Sequence, residues 1–345
     1  MKIGKFNLTQ NNTYVIAELS ANHNGSLQNA LDTIKAAKEV GANAIKLQTY
    51  TADTLTIDCE KEDFIIKGGT LWDGKSLYEL YKGAYTPWEW HKELFEYAKK
   101  IGIDIFSSPF DKTAVDFLEK FNPPAYKIAS FEITDYELIR YTASKMKPII
   151  ISTGIATITE IQDAVDICRS AGNNDIVLLK CTSAYPAPLE DANLKMIPNL
   201  AETFNVISGF SDHTIGSIAP VAAVTLGAKV IEKHFILDKS IGGPDADFSM
   251  DKKEFASMVK AIRDVEKLLG KVDYSMTEKK KKSRQFSRSL YVVRDIKKGE
   301  TFTEDNIRSI RPGYGLHPKY YNDIIGKKAL KYLEKGNILD WKYIS

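Results

Sequence analysis

The 345-residue sequence is poor in the features that mark specialised protein classes. Cysteine is scarce. Cys59, Cys168 and Cys181 are odd in number and show no CxxC spacing, which argues against a disulfide framework or a zinc knuckle and points to a reducing, cytoplasmic setting. An excess of one charge is missing too: 47 Lys and Arg against 45 Asp and Glu leave a net charge of +2. No nucleic-acid or membrane partner is therefore expected. No run approaches the roughly 20 apolar residues of a membrane span, and "MKIGKFNLTQNNTY" at the amino terminus has no apolar core suited to a signal peptide. The first β-rich run is not followed by GxGxxG, which counts against an open doubly wound sheet.

What is present is an alternation. Eight β-rich runs recur: "YVIAEL", "AIKLQTY", "DIFSSPF", "AYKIAS", "PIIISTG", "DIVLLKCTSAY", "VISGFSDHT" and "KVIEKHFIL". Amphipathic stretches such as "LQNALDTIKAAKEVG" and "TITEIQDAVDICRSAG" lie between them, several ending in a Gly suited to a left-handed helix terminus. Eight such units predict an α/β fold, a (β/α)8 TIM barrel over residues 1–270. Residues 271–285, rich in Lys, read as a solvated linker. Residues 286–345 restart as short strands and turns, a small β-rich module. The long connection 51–86 leaves a strand's carboxyl end, and its aromatic residues suit either a lid or a packed insert.

Inside "VIEKHFIL", alternation sends Glu232 and His234 to one face and Lys233 and Phe235 to the other. Buried ionisable groups need company, a metal, a substrate or a salt bridge. The other strand ends supply it: Glu18, with Asn22 and His23 beyond it, Lys46 and Gln48, Ser107 and Ser108, and Lys127 and Ser130. Ser152 and Thr153, then Thr182, Ser183 and Tyr185, and finally Ser211, Asp212 and His213 complete the set. In a barrel these ends share one mouth, so an active site is expected there. His213 and His234 could present imidazoles to one divalent ion, and Lys46 with Lys127 could hold a phosphate or carboxylate. A single Schiff-base lysine is the alternative.

The motifs "IAELSANHNG", "KLQTY", "YKIAS", "STG", "GFSDHT", "EKHF" and "GGPDADFS", with "SIRPGYGL" in the tail, together resemble the sialic acid synthase family. That family joins phosphoenolpyruvate to an amino-sugar aldehyde, releases phosphate and carries an antifreeze-like (SAF) domain after its barrel. The resemblance implies that Lys46, Lys127, Ser130 and Ser211 hold phosphoenolpyruvate, and that Glu18, Tyr185 and Asp245 contact the sugar; Gln48 is a further substrate-binding candidate. His213 and His234 would bind Mn2+, Mg2+ or Co2+. Glu232 would transfer a proton or orient a ligand. Arg311 would reach the sugar's N-acetyl group from the other subunit of a domain-swapped homodimer; without the resemblance it reads as a surface Arg beside a turn.

The chain departs from the N-acetylneuraminate synthases in two places. "CTSAYPAP" puts Ser183 where they carry Asn, and "GGPDADFS" brings in the apolar Phe248. "LWDGKSLYELYKGAYTPWEWH" is similar to the pseudaminic acid synthase branch. An apolar pocket suits a 6-deoxy sugar, and the resemblance to this branch implies 2,4-diacetamido-2,4,6-trideoxy-L-altrose as the substrate. N-acetylneuraminate or legionaminic acid synthesis is the alternative on the same chemistry. A metal-dependent lyase or isomerase and a non-catalytic glycan-binding protein are the alternatives from other classes.

Overall fold

Eight parallel strands close into a barrel in the computed structural model, which describes residues 1–8, 12–67 and 72–345. They are β1 (Tyr14–Glu18), β2 (Ala44–Thr49), β3 (Asp104–Pro109), β4 (Tyr126–Ile128), β5 (Ile149–Ser152), β6 (Ile176–Cys181), β7 (Ile207–Asp212) and β8 (Val230–His234). Each pairs with its neighbour in sequence, and β8 closes on β1 with His234 opposite Glu18. The intervening helices start and stop where local chemistry allows. Ser26 caps Leu27–Glu39, Thr157 forms a capping box on Ile158–Ser170, and Gly102, at φ 73°, ends His91–Ile101 just before β3.

Strand alternation divides the buried side chains into two layers. Val15, Ile45, Ile105, Ile151 and Leu178 face the helices. Tyr14, Ile16, Ala44, Phe106, Val177, Leu179 and Val230 face inward and pack with Ile3 and Leu8. Those last two residues belong to a short hairpin in which Lys2–Ile3 pairs with Phe6–Asn7, so the floor of the barrel is apolar and stopped from below. Toward the carboxyl ends the inward positions turn polar, and that change positions the site.

The connection 51–86 is partly helical, with turns at Ala52–Leu55 and Glu62–Phe64 and a helix at Leu77–Ala84 capped by Ser76. Its "GGTL", residues 68–71, lies outside the described residues. A second compact unit, Lys271–Ser345, holds a two-stranded antiparallel sheet, β9 (Ser289–Val292) with β10 (Ile307–Ile310), and its own core of Leu290, Ile296, Phe302 and Leu333. The Lys run, read as a solvated linker, contains a short helix, Glu278–Ser283. Thr277 caps it and its lysines sit in the last turn, favourable for the helix dipole. No described helix is long and apolar enough to cross a membrane.

Gly209 of β7 faces the barrel interior, where a Cβ would collide with the Val230 carbonyl oxygen and lie 2.7 Å from Leu179 Cδ2. Gly209→Ala is expected to push β7 off β8 and destabilise the barrel by about 1–3 kcal/mol, read as a lower thermal midpoint.

Candidate active site

Above the apolar floor, the inward positions of successive strands bring the ionisable groups together. Lys46 Nζ lies 3.0 Å from Glu232 Oε1 and 3.1 Å from Glu18 Oε2, with all three side chains nearly sealed from solvent. Lys127 Nζ is 3.8 Å from the same Glu232 oxygen and donates to Ser152 Oγ at 2.7 Å. Ser211 Oγ donates to Glu232 Oε1 at 3.2 Å, and Gln48 donates to both Glu18 and Ser20 at 3.0 Å. Burial alone would raise the Glu232 carboxyl, but the charges of Lys127 and Lys46 outweigh it and hold the group below the usual range. Glu18 is pushed up by burial, against the pull of Lys46. Burial also lowers the Lys127 ammonium, with Lys46 adding to the effect.

The two imidazoles meet beside this cluster. Ring centres of His213 and His234 are 5.4 Å apart. With a nitrogen–metal bond of about 2.1 Å and a ring centre about 1.1 Å behind the nitrogen, two imidazoles converging at about 110° lie roughly 5.3 Å apart. His213 Nδ1 sits 2.8 Å from the Thr182 carbonyl, which leaves Nε2 as its free face. His234 Nδ1 is buried without a hydrogen-bond partner and lies 3.7 Å from Asp245 Oδ2. Burial, then the charge of His213, holds His234 well below its ordinary pKa, whereas His213, which burial would lower, is raised by its contact with Cys181. No group of three or more His, Cys, Asp or Glu side chains gathers for a metal among the described residues, so the pair would leave most positions of an ion open.

Around these groups is a cavity of about 360 Å³, lined on the barrel side by Gln48, Tyr185, His234 and Asp245. The 51–86 connection supplies the facing wall. Trp72 packs on Tyr185 at 6.2 Å and Tyr81 edge-on against Tyr50 at 5.9 Å. Phe248 lies 5.3 Å from Tyr185 and 4.9 Å from His234. Ser130 Oγ accepts from Gly154 N at 3.2 Å, and a side chain at Gly154 would collide with the Ser130 and Ser183 hydroxyls, which places the two serines together.

Several strand-end residues turn away from this mouth. Ser107 bonds Thr49 at 2.6 Å in the outer layer, with His91 beyond it. Asp212 pairs with Lys233, and Thr182 Oγ1 donates to the Asp191 carbonyl. Each sits one residue from an inward position, and a strand's period of two turns it outward. His23 stands apart against Trp90, with its pKa lowered to about 4 by burial. Arg311 belongs to the second unit, before a cis Pro312.

Two inward groups went unread. Cys181 has its sulfur 3.8 Å from His213 Nδ1; burial would raise the thiol, but the His213 bond and charge bring it to about 7. Counting by twos from Leu179 finds it. Glu132, in the turn after β4, lines the cavity and has Oε2 sheltered without a hydrogen-bond partner; burial pushes its carboxyl up to about 7. No strand pattern reaches that turn.

Replacing Lys46 tests the charge balance. In Lys46→Met, Glu18 and Glu232 lose a counterion: the folded pKa of Glu18, already raised to about 7, rises further above the unfolded value near 4.5, and the lowered one of Glu232 rises toward it. A carboxyl whose folded pKa increases costs stability as pH climbs from its wild-type folded pKa to the new one. The stability deficit should therefore begin as pH rises above about 2, where Glu232 ionises, and widen again above about pH 7, where Glu18 does, reaching about 3–5 kcal/mol in denaturant unfolding of the barrel.

Residues 33–274 match the NeuB family and residues 287–344 the SAF domain. The chain is 56% identical over 339 residues to the pseudaminic acid synthase of Campylobacter jejuni, covering 98% of each sequence. It is 54% identical to the pseudaminic acid synthase of Helicobacter pylori, covering 94% of this chain and 96% of that one. The spore coat polysaccharide biosynthesis protein SpsE of Bacillus subtilis has a solved structure at TM-score 0.64 and 35% identity, covering 97% and 95% of the two chains. The N-acetylneuraminic acid synthetase of Leptospira borgpetersenii gives TM-score 0.73 at 31% identity, covering 82% and 94%. The motif resemblance and the barrel-plus-SAF architecture are thus borne out, and the chain belongs to the NeuB family.

Proposed function

We propose that the protein is a cytoplasmic pseudaminic acid synthase, which condenses phosphoenolpyruvate with 2,4-diacetamido-2,4,6-trideoxy-L-altrose and releases phosphate by C–O cleavage. The observation that carries the reading is the convergence of Lys46, Lys127, His213 and His234, the last of which lines an aromatic-walled cavity. Identity above one half to proteins named for this activity supports it. Trp72 and Tyr185, the latter backed by Phe248, form an apolar wall suited to a methyl group where other sugars carry a hydroxyl.

Lys46 and Lys127 would hold the phosphate and carboxylate of phosphoenolpyruvate, with Ser130, Ser183 and Ser211 donating to the anion. Glu18, Gln48, Tyr185 and Asp245 would bind the sugar. Bound by His213 and His234, Mn2+, Mg2+ or Co2+ would supply Lewis-acid polarisation of the aldehyde. The C3 carbon of phosphoenolpyruvate attacks the aldehyde carbon, whose oxygen takes up a proton, and C2 becomes electron-poor. Water adds at C2 and loses a proton; the C2–O bond to phosphate then breaks as the C2 hydroxyl gives up its proton to form the ketone. Glu232, pinned by two ammonium groups and Ser211, is suited to orienting and charge balance. Glu132 has no ion pair among the described residues and a carboxyl poised near neutrality, so it is the better acceptor for the water's proton. Arg311 would come to the sugar's N-acetyl group from a second copy, in a domain-swapped homodimer.

A panel of acetamido sugars with phosphoenolpyruvate, read as phosphate release, should rank the trideoxy-altrose first by kcat/KM. No sugar-dependent phosphate would overturn the reading, and preference for a manno-configured sugar would redirect it to N-acetylneuraminate or legionaminic acid synthesis. Lys127→Ala should lower kcat/KM for phosphoenolpyruvate about 10–100-fold. Glu132→Gln should lower kcat about 100-fold or more with little change in KM. Chelation with EDTA should abolish turnover; full activity afterwards would remove the metal from the scheme.

A further inference from the structure

On its outer face, between strands and helices, the barrel is almost wholly apolar, yet the last register pair of β7 and β8 is Asp212 opposite Lys233. Lys233 Nζ lies 2.6 Å from Asp212 Oδ2, with side-chain exposures of 1% and 0%. Among the described residues it is the one ion pair buried to this degree outside the barrel's interior. Burying two charges costs several kcal/mol per ion, and an apolar pair of similar volume is often as stable or more so. Stability alone is a poor reason for this pair to be here.

Its connections suggest a better one. Lys233 donates to the Thr214 carbonyl as well as to Asp212, and Asp212 Oδ1 accepts from Thr214 N at 2.9 Å. The residues on both sides of His213 are thus tied to each other and to residue 233, which directly precedes His234. From the inner side, the Thr182 carbonyl fixes the His213 ring. We propose that Asp212 and Lys233 are positioning residues, a buried clamp that sets the backbones carrying His213 and His234 so that the two imidazoles meet on one divalent cation. This rests on the metal reading above. The clamp touches neither the cation nor substrate; it acts through the main chain, which is why its side chains lie behind the strands.

The test compares metal-free wild type with the volume-matched Asp212→Leu/Lys233→Met double variant and with Asp212→Asn, which keeps the shape should the double variant fail to fold. Thermal midpoints are measured without metal, Mn2+ affinity by calorimetry, and the ligand field from the visible spectrum of added Co2+. A folded variant should bind Mn2+ about 10–100-fold more weakly and show a shifted Co2+ spectrum, even where its thermal midpoint equals the wild-type value. Wild-type affinity and spectrum in any folded variant would overturn the clamp while leaving the metal reading intact. Failure of the wild type to bind Mn2+ or Co2+ would instead overturn the metal reading, and the clamp with it.

Discussion

Lys46 stands between two buried carboxylates, and the upper half of the barrel is arranged around that fact. A lone ammonium this far from solvent would lose its proton, and two lone carboxylates would gain one; together with Lys127 they form a set of near-zero net charge that can be buried fully. The balance needs four residues from four strands at one height. Only a closed barrel with fixed register provides that, with Glu18 opposite Lys46 and Ser211 opposite Glu232. An arriving phosphate would therefore meet lysines already oriented by carboxylates, and would compete with Glu232 for them. Tight anion binding in such a place needs more than opposite charge; the Ser hydroxyls and the loss of water from a dry cavity must favour the substrate over the internal partner.

Much of this arrangement was legible in the sequence because alternation is a strong rule. Once "VIEKHFIL" is a strand, Glu232 and His234 share a face and Lys233 does not, as the structure confirms. The same rule, applied at every strand end, separates Ser108 from Ser107 and His213 from Asp212. Reading each end as a cluster rather than as alternating positions is what placed too many groups at the mouth. The eight strands were equally accessible, since each is a short aliphatic run between capped helices.

The remainder was hidden for physical reasons. Glu132 lies on a 3-10 turn, Ser130–Glu132, where neither the strand nor the helix period applies, and its direction depends on the tertiary fold. Cys181 counted only as one of three scattered cysteines because its neighbour His213 is 32 residues away in the chain. The helix over the Lys run was obscured by four consecutive like charges, which suggest solvation and self-repulsion more strongly than the Thr277 cap suggests order. Trp72 and Tyr81 were recognised as aromatic cargo of a long connection, but only their contacts with Tyr185 and Tyr50 show which surface they cover.

The hairpin beneath the barrel bears on traffic through it. With Ile3 and Leu8 seated against Tyr14 and Ile16, the lower end is a dead end, and molecules pass only by the rim that Trp72 and Tyr81 overhang. In a one-doored chamber the deepest guest arrives first and leaves last. On the proposed reading, an anion seated on the lysines would be trapped behind any sugar above it, and the floor of the barrel, far from the reacting atoms, would set the sequence of arrivals and departures.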